Sequence, residues 1–334
     1  MSTSSNLDSS TTLVLTPETP PRLCARQLIL ARVIELAQHE AGTRAGEDIE
    51  ALHDMRVASR RLREALEIFE FCFPPKIYAR LYERVRRVTR ALGRARDADV
   101  MVAYFSALLS AEQDLIEQFT LHDMLRRLAR QQNRRRAEMQ NELDKVQPAE
   151  LLPRFEKAFA APSSPRGPRT ALFLTRRLSS LRLREVFTCR RAIKGETDVE
   201  GLHNLRLAVK KLRYALETLD FAAGEHVKEN LKFFKKLQTA LGELHDRDVF
   251  HELARTRLQK LEKQSFAGHL LKGYGLVSAK IAMQRQDFYV EYQKIFGNAH
   301  LQDWRARVVP PPPARTRVVP TTSKAQLQEA DTNL

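Results

Sequence analysis

What this sequence has little of narrows the possibilities first. Its three cysteines, Cys24, Cys72 and Cys189, are odd in number, widely spaced and form no C-x-x-C. That argues against a disulfide framework or a thiolate zinc site and fits a reducing compartment. Aromatic residues make up only 7% of the chain, and no hairpin dipeptide sits between alternating apolar runs, so strands are not expected. No run of about 18 apolar residues occurs, which predicts no membrane span. The opening MSTSSNLDSSTTLVLTPETPPR lacks the basic start and apolar core of a secretory leader, so a cytoplasmic protein is expected. There is also no P-loop and no glycine-rich phosphate loop.

What the chain does have is helix formers and positive charge. Its 334 residues are 43% hydrophobic, mostly Leu, Ala and Val, enough for helical units with real cores. Lys and Arg number 56 against 41 acids, a formal net charge of +15, and 40 of the 56 cations are Arg. Ion pairs on a solvated surface account for many of them, but not for a surplus of fifteen. Arg presents a planar fork that matches phosphate oxygens, so its excess favours a phosphate-bearing partner.

The chain also repeats itself. Residues 48–71, DIEALHDMRVASRRLREALEIFEF, align with 198–221, DVEGLHNLRLAVKKLRYALETLDF, with twelve of 24 pairs identical. Further on, ALGRARDADV (91–100) matches ALGELHDRDV (240–249). The APSSPRGPR stretch at 161–169 divides the two copies. We therefore expect a Ser/Thr/Pro-rich disordered arm at 1–21 and a folded region at 22–304. Within that region, one repeat covers about 22–160 and the other about 168–300. A loose tail at 305–334 then carries the Pro310–Pro313 run.

The periodicity predicts helices near 22–39, 47–72, 76–92, 98–117 and 121–147, and again near 168–190, 197–221, 225–241, 247–264 and 266–296. Gly93 and Gly242 are read as helix stops, with Asp97 and Asp246 as caps of the next helix. The fold class is all-α, two four-helix-bundle-like halves related by internal duplication and a pseudo-twofold axis.

One helix in each copy carries the chemistry. At about 100° per residue with His53 at zero, Arg56, Arg60 and Arg63 fall near 300°, 340° and 280°. Met55, Ala58, Leu62, Ala65, Leu66 and Phe69 lie on the opposite, core-facing side. In the second copy His203, Arg206, Lys210 and Arg213 repeat the ridge, with Glu67 and Glu217 placed to hold the last arginine of each. A lone basic helix face is usually plain solvated surface; two in register, each led by His, point to a binding face. The next helix adds Arg86 and Arg87, with Lys235 and Lys236 as counterparts. Arg80, Arg84 and Arg90 have no basic counterpart, and the Arg126–Arg136 cluster reads largely as ordinary surface.

L52-H-D-M-R-V-A-S-R-R-L-R63 with L92-G-R-A-R-D-A-D-V100, and their second copies, resemble the CHAD family, the conserved-histidine α-helical domain. The similarity covers about residues 22–300. It implies two helical bundles about a pseudo-twofold, a basic central channel that binds inorganic polyphosphate, and association with polyphosphate granules. It places that function on His53, Arg56, Arg60, Arg63, Arg86, Arg87, His203, Arg206, Lys210, Arg213, Lys235 and Lys236. Some members carry a fused triphosphate-processing domain; no E-x-E-x-K signature occurs here, and a stand-alone CHAD protein is expected. His245 stands where the first copy has Arg96, which weakens that cation.

Polyphosphate offers regular charge and no bases, and a ridge with a cation every 4–6 Å, from a rise of about 1.5 Å per residue, suits it. Nucleic acid is the secondary partner, because base readers interleave stacking aromatics and these ridges have only Tyr214. A metal-assisted enzyme would use Asp97/Asp99 and Asp246/Asp248, but capping and ion pairing are the simpler roles. No catalytic residue, metal or cofactor is expected.

Overall fold

The structure, a computed structural model, describes residues 14–312 apart from 47, 163–166 and 265–267. The expected loose segments therefore lie outside the described residues over 1–13 and 313–334, as does much of the linker. Among the described residues the chain is helix, turn and bend, with no strand. None of these helices is long and apolar enough to cross a membrane.

Twelve α-helices are described. In the first half these are α1 (Pro21–Gln38), α2 (Glu40–Ala45), α3 (Ile49–Ile68), α4 (Pro75–Ala111), α5 (Leu115–Val146) and α6 (Leu151–Ala160). The second half has α7 (Ala171–Ala192), α8 (Val199–Thr218), α9 (Asp220–Ala223), α10 (Glu225–Leu261), α11 (Gly268–Phe296) and α12 (Leu301–Val308). Four long helices dominate each half, and the two ridge helices are 20 residues each. Both ridge helices start on an aspartate: Asp48 accepts from the Glu50 amide at 2.8 Å and Asp198 from the Gly201 amide at 2.9 Å.

The helix stops expected at Gly93 and Gly242 do not exist. Residues 75–111 and 225–261 are single helices of 37 residues, about 55 Å long at 1.5 Å per residue. Asp97 and Asp246 are therefore mid-helix residues rather than caps. An interior glycine costs a helix only about 1 kcal/mol. The packing of Leu92, Ala95 and Phe105, and of Leu241, Leu244 and Phe250, outweighs that on either side of each glycine.

Three apolar clusters hold the helices together. The first joins α1, α3, α4, α5 and α6, and takes Ala171, Leu174, Ala215, Leu219 and Ala222 from the second half. The second joins α7, α8, α10, α11 and α12. The third lies at the far ends of α4, α5, α10 and α11, where Tyr104 stacks on Phe250 at 4.4 Å. The halves thus share cores.

The described residues bordering both expected loose segments are tied into the fold. The Thr19 carbonyl accepts from the Ala171 amide at 3.0 Å and the Pro17 carbonyl from Leu172 at 2.8 Å. The N-terminal segment thereby satisfies free amides at the start of α7. At the other end, α12 runs into the expected tail because Trp304 and Val308, one turn apart, are both buried in the second cluster. The Trp304 ring sits 4.2 Å from that of Phe233. Arg176 donates to the Pro310 carbonyl beyond it.

Trp304 is buried against Phe233 and Phe234, and Trp304→Ala is expected to cost about 3–5 kcal/mol. Chemical denaturation of wild type and W304A measures the difference.

Candidate functional site

The apolar faces of α3 and α8 behave as the periodicity requires: Met55, Leu62, Leu66 and Phe69 are fully buried, as are Leu205, Leu212 and Leu216. Their cationic faces do not simply look out to solvent. The two helices pack against each other with the ridges facing, and the ridge residues of both are half-buried.

At the crossing, each half reaches one turn along into the other. Arg60 of α3 donates from Nη2 to the Tyr214 hydroxyl, and its guanidinium lies 5.2 Å from the ring centre. Arg213 covers the same ring at 4.3 Å. In the reciprocal place, Lys210 of α8 faces Glu64 of α3, along with Arg60, Arg63 and Arg206. Glu64 and Tyr214 are the same position of the repeat, and both are buried, at 5% and 4% exposure. By the 100° rule both belong to the polar side, near 20°. They are buried because one ridge covers the other.

This crowding depresses the cations. Burial, above all, lowers the pKa of Arg60 and Arg206, and neighbouring arginines of both helices add to it. Lys210 is pushed down to about 7 by burial and by Arg60 beside it. Burial also pushes Glu64 upward, with Glu67 adding to it. The Nε–H groups of Arg56, Arg60 and Arg63 are buried without a hydrogen-bond acceptor from the described protein. A buried charge-bearing donor left unpaired is costly, and an anion would satisfy it.

Carboxylates border the ridges at a few places. Arg56 pairs with Asp97 at 3.3 Å. Arg63 meets Glu67 at 3.6 Å while Glu67 accepts from the Tyr82 hydroxyl at 2.6 Å, and Arg213 pairs with Glu217. Asp246 faces Arg206, and burial pushes its carboxyl up to about 6. Asp99 is buried, accepting from Gln132 at 2.7 Å, and Asp248 accepts from Arg285 at 2.5 Å. The two D-x-D pairs are thus tied to neighbouring cations and amides. No group of three metal-ligating side chains forms among the described residues.

The two leading histidines differ. His53 is half-buried, whereas His203 meets His245 of α10, Nδ1 to Nδ1 at 3.3 Å. Burial lowers both second-half histidines, His245 to about 4, with Arg206 opposing their protonation. Gly93 lies beside Arg56, where an added Cβ would meet Nε at 3.9 Å.

The cations of the second helix stand apart from this crossing. Arg86 pairs with Glu83 at 2.6 Å and Arg87 reaches Glu142 of α5 at 2.9 Å. Arg86 shares the stripe of α4 that runs from Tyr82 to Gly93 and Asp97, so it continues the line of the α3 ridge. Lys235 and Lys236 are exposed on α10. Periodicity placed His53, Arg56, Arg60, Arg63, His203, Arg206, Lys210 and Arg213 on two faces, and the structure brings those faces together. It adds Glu64, Tyr214, His245, Asp97 and Asp246. A tyrosine and a glutamate sharing one repeat position on a basic ridge were the available signal for the first two.

His245 should shape acid stability. A histidine whose folded pKa is depressed binds fewer protons than in the unfolded chain, so stability falls as pH drops from about 6.5 towards 4. Asp246, raised in the fold, acts oppositely between about 3.8 and 6. His245→Gln removes the first contribution alone, and the drop in Tm on going from about pH 7 to 5 is expected to be smaller in H245Q than in wild type.

The CHAD domain family model matches residues 27–255. No curated protein sequence matches. Among solved structures, the CHAD domain from the plant Ricinus communis aligns with TM-score 0.59 and 21% identity, over 89% of this chain and 94% of that one. PptA from Streptomyces chartreusis aligns with TM-score 0.67 and 13% identity, over 84% of this chain and 100% of that one. At such identities these structures speak for the fold alone. The family match spans both His-x-x-Arg ridges and more than half of the sequence, and the chain belongs to the CHAD domain family.

Proposed function

We propose that this protein binds inorganic polyphosphate along the facing ridges of α3 and α8, without catalysis. The observation that carries the reading is the crossing itself, where six cations converge and the buried Nε–H groups of Arg56, Arg60 and Arg63 lack acceptors. Such a cluster repels itself when empty and gains most from a flexible, densely charged strand that meets several donors at once. The duplicated halves would give that strand a basic channel with two walls related by a pseudo-twofold. Arg86, Arg87, Lys235 and Lys236 would extend it along α4 and α10.

Nucleic acid is disfavoured by the one aromatic on the ridges. Tyr214 is buried and held by Arg60 and Arg213, so it offers no face on which a base could stack. A processing enzyme would need a metal or a poised nucleophile. Asp97 is engaged by Arg56, Asp99 by Gln132 and Arg136, and Asp248 by Arg285, while Asp246 lies near Arg206. Binding alone suits a cytoplasmic protein that coats polyphosphate granules or is recruited to them.

The test is binding of long-chain polyphosphate and of length-matched single-stranded DNA and RNA at low and several-fold higher salt. Polyphosphate is expected to bind most tightly and to survive the higher salt. A His53/Arg56/Arg60/Arg63→Ala variant should lose at least about tenfold in affinity, since charge-assisted contacts are worth about 1.5–3 kcal/mol each. Equal affinity for all three polymers, or an unaffected variant, would refute the assignment.

A further inference from the structure

Two rows of arginine lie outside the crossing, both on the first half. On α4, Arg86, Arg90 and Arg94 stand one helical turn apart on a single stripe, a row about 12 Å long at about 1.5 Å per residue. On α5, Arg126, Arg130 and Arg134 make a second row of the same length. All but Arg86 are exposed. The rows join at Glu138, which Arg94 approaches at 3.9 Å and Arg134 at 3.0 Å. Helix α5 runs back along α4: Arg87, Arg94 and Asp99 of one meet Glu142, Glu138 and Gln132 of the other. Read from Arg134 to Arg126, the α5 row therefore carries on in the direction of the α4 row instead of doubling back. The line starts beside the α3 ridge, where Tyr82 donates to Glu67 and Thr89 to the Ser59 carbonyl at 3.3 Å, and it passes Arg56 at Gly93.

Carboxylates do not balance this line. Glu83 serves Arg86 at 2.6 Å, and Glu138 is also held by Arg135 at 2.7 Å. Asp123 is divided among Arg126, Arg127 and Arg257, at 3.8, 3.0 and 3.6 Å. Arg90 and Arg130, the middle residue of each row, make no ion pair with the described residues. Like charges one turn apart repel, and a plain solvated helix face intersperses both signs. The second half is the control within the same molecule. With Lys235 in the place of Arg86, the α4 row falls on Lys235, Thr239 and Glu243 of α10. Arg285 pairs with Asp248 at 2.5 Å as Arg136 pairs with Asp99 at 3.4 Å, which sets the α5 row on Gly275, Ala279 and Met283 of α11. Those three are exposed as well. The scaffold holds without arginine at these positions, so the line belongs to one half and is not a requirement of the fold.

We infer that a polyphosphate strand longer than the α3–α8 crossing leaves it over the first half and follows this arginine line, which makes the protein selective for long chains. The inference rests on the polyphosphate reading and names the path by which chain length is sensed. A short oligophosphate is taken up by the crossing alone and gains nothing from Arg90 or Arg130. A longer strand adds one charge-assisted contact after another without a second cost of association. The described residues of α10 and α11 offer no matching row, so the strand exits on one side.

The test titrates tripolyphosphate and long-chain polyphosphate into wild type and two variants. One is Arg90/Arg94/Arg130/Arg134→Gln; the other, Arg177/Arg191/Lys194/Lys294→Gln, removes the same charge from exposed positions of the second half. The row variant is expected to lose at least about tenfold in affinity for the long chain and to bind tripolyphosphate as wild type does. Its slope of log affinity against log salt for the long chain should be shallower by about 0.7 for each arginine that meets the strand. The second variant should keep long-chain affinity close to that of wild type. Undiminished long-chain binding by the row variant, an equal loss for both ligands, or an equal loss in both variants overturns the track while leaving binding at the crossing in place. Failure of wild type to bind either polyphosphate removes the function on which it rests.

Discussion

Two faces of like charge packed together are an unusual thing to find inside a fold, and here the rest of the molecule is organised around holding them there. Repulsion between neighbouring cations on a helix is worth a few tenths of a kcal/mol per pair, more where water is excluded. Each fully buried Leu, Met or Phe on the opposite face returns about 1.5–3 kcal/mol. With Met55, Leu62, Leu66 and Phe69 beneath one ridge and Leu205, Leu212 and Leu216 beneath the other, the apolar side wins. The cost of bringing the cations together is met by burial elsewhere on the same helices.

The crossing is closed by two different pairs at one repeat position. Tyr214 gives Arg60 a neutral oxygen and a ring face, which fixes the guanidinium without cancelling its charge. Glu64 meets Arg63 at 3.6 Å and acts on Lys210 from farther off, and burial opposes the charge of both Glu64 and Lys210.

Much of this was readable in advance. The all-helical class, the repeat and the eight ridge residues of α3 and α8 followed from composition and a 3.6-residue period. The burial of those ridges was not, because periodicity separates apolar from polar faces and is silent on whether two polar faces meet. Glu64 and Tyr214 therefore looked like ridge surface. The continuity of α4 and α10 through Gly93 and Gly242 was hidden for another reason: local breaker signals are weak against tertiary packing on both sides. Val308 was masked by the prolines that follow it.

The hydrogen bonds from the Ala171 and Leu172 amides to the carbonyls of Thr19 and Pro17 set an order of events. The carbonyls of Pro17 and Thr19 wait for donors made some 150 positions later. Ala215, Leu219 and Ala222, which complete the first core, come later still. Co-translational folding of the N-terminal half alone would leave that core open on one side. The first core therefore closes only once Ala222 has emerged, and the basic crossing only once α8 has.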